Sequence, residues 1–259
     1  TLNTLVSDKE MPELCELIRQ AATCGVDAFI VQDLGVISLC KQIAPNTPIH
    51  GSTQMTVHSL PGVQLCAAWG MSRVVLSREL SREEIRYICA NSPIEIEVFA
   101  HGAMCMCYSG QCFFSSVIGG RSGNRGLCAQ PCRLKYGWDG KANEYPLSLK
   151  DASLVSYLKE LNDMGVACLK LEGRMKRPEY VAAVTSVYKQ ARDNRNVTPQ
   201  MMQLLHTAFN RQGFTDGYYM GRTGQNMFGY RDEKSDDEKW CKELRQTYEG
   251  VENPRVPVT

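Results

Sequence analysis

Apolar residues return at helical spacing from Pro12 to Cys24, with Leu14, Leu17, Ile18 and Ala21 on one face and Gly25 placed to close the helix. The run Asp27-Ala28-Phe29-Ile30-Val31-Gln32-Asp33 then reads as a buried strand, and Leu34–Ala44 as a second helix ended by Pro45. Pro48–Gln54 predicts the next strand, Ser59–Trp69 a helix and Arg73–Ser77 another strand. Ser81-Arg82-Glu83-Glu84 opens a further helix with capping-box chemistry, in which a serine hydroxyl and a glutamate three residues later cap each other's backbone. Glu95–Phe99 alternates as a strand, and Cys168–Glu172 alternates so that Cys168, Lys170 and Glu172 share one face and Leu169 and Leu171 the other. Helices follow at Pro178–Ala191, on the stripe Tyr180, Val181, Val184, Val187 and Tyr188, and at Thr198–Phe209. Strand alternating with helix predicts parallel strands joined by right-handed crossovers, an α/β fold.

Composition changes this picture little. The 259 residues are 43% hydrophobic and 22% charged, as in ordinary globular proteins, and no apolar run is long enough to span a membrane, so no membrane partner is expected and a cytoplasmic location is. The net charge of +1 is unevenly spread. Residues 1–120 carry 7 basic and 11 acidic side chains, residues 121–177 carry 11 and 6, and residues 178–259 carry 11 and 11. The basic middle block, with Arg121, Arg125, Arg133, Lys135, Arg174, Lys176 and Arg177, is suited to an anionic ligand, although a solvated surface gives the same count.

The candidate chemistry begins just before this block and runs into it. Cys105, Cys107, Cys112, Cys128 and Cys132 are five of the twelve cysteines, in a segment otherwise rich in Gly, Ser and Arg. Thiolates at such spacings can surround a soft metal centre, and spacing alone leaves zinc and iron–sulfur both open. Disulfides suit small secreted domains better than a chain of this length with scattered single cysteines. Cys15, Cys24, Cys40, Cys66 and Cys89, each alone in an apolar stretch, read as inert buried thiols.

Glu97-Val98-Phe99-Ala100-His101-Gly102-Ala103-Met104-Cys105, Tyr108-Ser109-Gly110-Gln111-Cys112, Asn124-Arg125-Gly126, Cys128-Ala129-Gln130-Pro131-Cys132-Arg133 and Lys170-Leu171-Glu172-Gly173-Arg174-Met175-Lys176 together resemble the peptidase U32 family, historically called collagenase-like. The resemblance implies a TIM-type (β/α) barrel with a Cys-rich loop region carrying a four-iron four-sulfur (4Fe-4S) cluster. Cys105, Cys112, Cys128 and Cys132 match the ligand positions, Cys107 is the spare, and zinc is the alternative metal. For the better understood relatives it implies oxygen-independent hydroxylation of an RNA pyrimidine, a tRNA wobble uridine or an rRNA cytidine, with prephenate as a possible hydroxyl source. Because family members begin with further strand–helix units, residues 1–231 are expected to form a barrel domain lacking its first units. Residues 232–259 are expected to be a charged linker and the start of a truncated C-terminal domain. Proteolysis, and RNA binding without catalysis, are the competing functions. No Ser-His-Asp order and no HExxH motif supports the first.

Active sites of such barrels collect at the C-terminal ends of the strands. Six of those ends are polar: Gln32-Asp33; His50 with Ser52 and Gln54; Ser77-Arg78-Glu79; Glu97 with His101; Ser148 with Lys150-Asp151; and Lys170 with Glu172 and Arg174. His50 and His101 are the candidate proton carriers, since imidazole titrates near neutral pH, with Glu97 to orient one of them. Lys170 and Glu172, expected to point inward as compensating charges, complete the candidate catalytic set. Asp33, Gln54, Arg78, Lys150 and Arg174 are the candidate substrate-binding residues, and the two arginines suit donor carboxylates because a guanidinium holds them bidentately.

Overall fold

The structure, a computed structural model, describes residues 1–173, 176–194, 196–231, 238–246 and 248–249. Helix α1 (Met11–Thr23) begins with Pro12 in its first turn and stops at Gly25, whose φ of 74° no branched side chain tolerates well. Strand β1 (Phe29–Val31) leads into α2 (Leu34–Ile43) through Asp33, whose carboxylate accepts from the amides of Gly35 and Val36. β2 (Ile49–Gly51) is followed by α3 (Leu60–Ala68), capped by Ser59, and β3 (Arg73–Val75) by α4 (Arg82–Asn91), capped by the expected Ser81–Glu84 box. The long strand β4 (Glu95–Ala103) enters the cysteine region, which holds α5 (Phe114–Gly119) and the hairpin β5 (Tyr136–Trp138) and β6 (Lys141–Glu144). Then come β7 (Asp151–Ser153), α6 (Leu158–Asp163), β8 (Cys168–Leu171), α7 (Pro178–Asn194), α8 (Pro199–Ala208), β9 (Phe214–Thr215) and α9 (Glu238–Arg245).

β1, β2, β3, β4 and β8 lie side by side in that order, all parallel, as successive strand–helix units place them. β7 runs antiparallel to the end of β4, pairing Ala103 with Asp151, and carries β9 on its far side. The expected TIM-type closure is not seen among the described residues. The sheet is open, with only an isolated bridge from Leu2 to Val31 beyond β1, and five parallel strands are too few to close a barrel of that kind. The fold is mixed α/β with a parallel-dominated sheet.

The outward face of the sheet, with Val31, Val74, Ile96 and Val98, packs on Val36, Val63, Ile85, Val184, Val187 and Leu205 of the helices. Full burial of such a side chain contributes roughly 1.5–3 kcal/mol, so this layer supplies most of the stabilising burial. A smaller apolar group, Phe99, Met104, Leu149, Ala152 and Met227, lies where β4 meets β7. Part of the expected linker is a docked helix: Arg245 of α9 donates to Glu179 of α7 at 2.6 Å, and Cys241 is buried. Residues 232–237 and 250–259 of that stretch lie outside the described residues. No helix among the described residues is long and apolar enough to cross a membrane.

Candidate functional site

The cysteine region is tied to the rest of the fold at four points. Gly110, with φ of 81°, lies against the backbone of Gln54, where any Cβ would collide with the Gln54 carbonyl. Beside it the Thr56 hydroxyl donates to the Ser109 carbonyl at 2.6 Å, and the Gln111 amide donates to Thr56 Oγ1 at 3.3 Å. Arg125 donates to the Leu5 carbonyl at 2.9 Å and pairs with Glu10. Arg133 reaches inward to Ser148 Oγ at 3.0 Å, the Leu149 carbonyl at 2.5 Å and the Met104 carbonyl.

Within this frame all five thiols are free. Burial pushes the Cys132 thiol up, and the Cys105, Cys128 and Cys112 thiols around it push the same way, against the opposing charge of Arg133. Burial likewise raises Cys107, with Cys112 its nearest thiol neighbour. Donors are aimed at two of the sulfurs. Arg78 Nη1 lies 3.3 Å from Cys105 Sγ, and the Gln130 amide 3.3 Å from Cys128 Sγ, with the Ser115 hydroxyl 3.8 Å away on its other side. Among the described residues no three His, Cys, Asp or Glu side chains stand close enough together to hold an ion. The donor set nevertheless has the chemistry of a soft-metal site: thiols outside any disulfide, two of them with N–H groups turned to sulfur.

Arg78 joins this loop to the strand ends. Its guanidinium donates to Ser109 Oγ at 2.6 Å, lies 4.3 Å over the Phe99 ring and faces the Glu172 carboxylate at 3.8 Å. Arg78, Glu172 and Cys105, expected from three different strand ends, are thus brought together. Glu172 meets Arg78, not Lys170 alone as the alternation suggested, while half-buried Lys170 stands opposite Phe99 in register. Beside Arg78, burial raises the Glu79 carboxyl, and its Oε2 has no hydrogen-bond partner among the described residues.

The other expected residues stand elsewhere. Asp33 is committed to structure, taking the amides of Val6, Gly35 and Val36. His50 and Glu97 lie one layer down the inner face with Arg73, which donates twice to Glu95, at 2.7 and 2.8 Å, and lies 3.8 Å from Glu97. Burial first, and Arg73 second, push the His50 imidazole down. His101 is fully buried among Tyr180, Tyr188 and Phe214, its Nδ1 3.3 Å from the Tyr188 hydroxyl. Burial, assisted by Lys176, pushes its pKa down to about 3. Gln54 lines a cleft of about 440 Å³ with Gln32, His58, Trp69 and Gln111. Lys150 packs its stem against Gly229, and Arg174 lies outside the described residues. Among the thiols read as inert, Cys40 and Cys66 are buried, with Cys40 pushed up to about 11 by burial, whereas Cys24 is exposed.

Sequence reasoning missed Ser109, Ser115 and the inward course of Arg133, because a serine or arginine in a Gly-rich loop carries no periodic signal. It also missed a buried pair, Arg211 with both oxygens of Asp151 at 2.8 Å.

Residues 1–229 match the model of peptidase family U32. The chain belongs to this family. Among U32 relatives it is 35% identical over 257 residues to the tRNA hydroxylation protein P1 of Bacillus subtilis, covering 91% of the chain and 60% of that protein. It is 40% identical over 199 residues to the 23S rRNA 5-hydroxycytidine C2501 synthase of Escherichia coli, covering 74% of the chain and 30% of that protein. It is 32% identical over 248 residues to a protein named collagenase in Porphyromonas gingivalis, covering 86% of the chain and 59% of that protein. The U32 chain therefore spans three fifths or less of the length of these relatives.

Proposed function

We propose that this U32 chain belongs to a cytoplasmic RNA-modifying enzyme that hydroxylates a pyrimidine without dioxygen, at a tRNA wobble uridine or a 23S rRNA cytidine. The observation that carries the reading is Cys105, Cys112, Cys128 and Cys132 in one loop region, with N–H donors on the sulfurs of Cys105 and Cys128, in a chain 35–40% identical to relatives named for tRNA and rRNA hydroxylation. These four cysteines would hold a four-iron four-sulfur cluster, with zinc the alternative metal and Cys107 the alternative ligand. Such a group, when bound, supplies redox or Lewis-acid chemistry. We further infer that β1–β4 and β8 are the parallel arc of a (β/α) barrel, which puts Arg78, Glu79 and Glu172 at the catalytic end.

This chain's own residues would then divide the work. Arg78 fixes Cys105 and Ser109 and offers its remaining guanidinium edge, shared with Glu172, to a donor carboxylate such as that of prephenate. Glu79, whose carboxyl burial raises, stands beside it as the candidate acid. Phe99 under Arg78 and the apolar group around Met104 exclude water from this corner. Proteolysis, suggested by the name of the Porphyromonas relative, has less behind it. Among the described residues no histidine hydrogen-bonds a Ser, Thr or Cys side chain, as an activated nucleophile requires.

Anaerobic reconstitution followed by iron and sulfide analysis tests the centre, and a protein that takes up zinc and no iron removes the cluster from the proposal. RNA from a strain lacking the gene, incubated with the reconstituted full-length protein, is expected to gain one oxygen on a pyrimidine by mass spectrometry. Cleavage of gelatin without RNA oxidation would reverse the conclusion.

A further inference from the structure

Beside the cysteine loop, at the C-terminal ends of β1 and β2, lies the cleft of about 440 Å³ that Gln32 and Gln54 line. Its size is that of a small-molecule site. Leu34, Val57, Leu65 and Trp69 supply apolar walls, and two of these large side chains, Leu34 and Leu65, are 54% and 49% exposed. Gly110 and Gln111 complete the lining, so a ligand seated here lies against the loop that carries Cys105 and Cys112. Ser109, next in the chain to Gly110, is the residue that Arg78 holds at 2.6 Å.

Two polar groups are left unsatisfied in this apolar setting. The side-chain oxygens of Gln32 and Gln54 are both shut off from solvent, and neither has a hydrogen-bond partner among the described residues. An unpaired buried carbonyl is costly, and here the cost is met twice in one cleft. Gln111, by contrast, spends its amide on Thr56 Oγ1 at 3.3 Å. A carboxamide carries an acceptor beside its N–H donors. With no bond to hold the oxygen, rotation about the last side-chain bond turns either end to the cleft. Such a pair suits a planar ring whose edge carries carbonyl and N–H groups side by side.

We propose, resting on the RNA reading above, that the cleft seats a pyrimidine base turned out of its strand. Gln32 and Gln54 read its hydrogen-bonding edge, and the apolar walls cover its faces. Uracil offers carbonyls beside N3–H and cytosine an amino group beside N3, and a carboxamide complements either by turning end for end.

Saturation-transfer NMR on the full chain with free uridine, cytidine and 3-methyluridine tests the site, the signals of the ring protons being read against ligand concentration. Uridine and cytidine are expected to give saturable transfer. The methyl group of 3-methyluridine blocks the central N–H, and this nucleoside is expected to bind at least roughly tenfold more weakly. Gln32→Leu and Gln54→Leu are each expected to weaken uridine by a similar factor while melting no lower than wild type, since an unpaired buried carbonyl is removed. Gln64→Leu, exposed on α3 and outside the cleft, is expected to bind as wild type does. The proposal is overturned if neither uridine nor cytidine binds, if 3-methyluridine binds as uridine does, or if both cleft variants bind as wild type does. No metal and no oxidation enter this readout. RNA that gains oxygen although no nucleoside binds would keep the hydroxylase reading and discard the cleft, and nucleoside binding without oxidation would do the reverse.

Discussion

Acid lability centred on His101 follows from its burial. The imidazole is 0% exposed, its ordinary pKa is 6.5, and in the fold it takes a proton only near pH 3. Below pH 6.5 the unfolded chain binds this proton and the native chain does not, so native stability is fully present above 6.5 and falls progressively as pH drops toward 3. At about 1.4 kcal/mol per unit, His101 alone removes about 2 kcal/mol between pH 7 and pH 5. His101→Phe abolishes the titration and keeps a ring between Tyr188 and Phe214, and Tyr188 retains its 2.8 Å bond to the Ala100 carbonyl. Urea unfolding of both proteins at pH 7, 6 and 5 measures the effect. Carboxylates titrate alike in the two, so their difference isolates the imidazole. The variant is expected to lose about 2 kcal/mol less than wild type over this range. Equal acid sensitivity in the two proteins would refute the reasoning.

Two further changes test the frame of the site. Gly110→Ala puts a Cβ into the Gln54 carbonyl at a positive φ, and is expected to cost upward of about 2 kcal/mol in urea unfolding and to speed alkylation of Cys112. Arg211→Leu strands the buried Asp151 carboxylate and is expected to cost about 3–5 kcal/mol, most of it recovered when Asp151→Leu is added, as a double-mutant cycle by chemical denaturation would show.

The first half of the chain was legible because each element carries its own signal. Ser81 announces a cap, Gly25 and Pro45 announce stops, and the short apolar strands between them leave one parallel arrangement. The sheet's second half resisted the same reading. Lys150-Asp151 was expected at the end of a strand, but Asp151 begins β7. Because β7 runs antiparallel, its start still lies beside the end of β4, so the end of the sheet was right and the direction wrong. Three-residue β7 and two-residue β9 are held by pairing rather than by periodicity, which no local pattern records. In the site, cysteine spacing located the loop, and alternation placed Lys170 and Glu172 near the inner face. Which arginine would meet Glu172, and that His101 would be sealed among aromatic rings from α7 and β9, depend on side chains far apart in the chain.

Among the described residues β4 is the one strand with three partners, and they are made at very different times. β3 precedes it and pairs at once, whereas Glu97 must wait for Cys168, and Ala103 for Asp151. During synthesis the whole cysteine segment therefore leaves the ribosome before the strands that flank it exist. Its five thiols spend that interval on an unfinished sheet, open to oxidants. Burial of these thiols therefore waits on translation of residues 151–171.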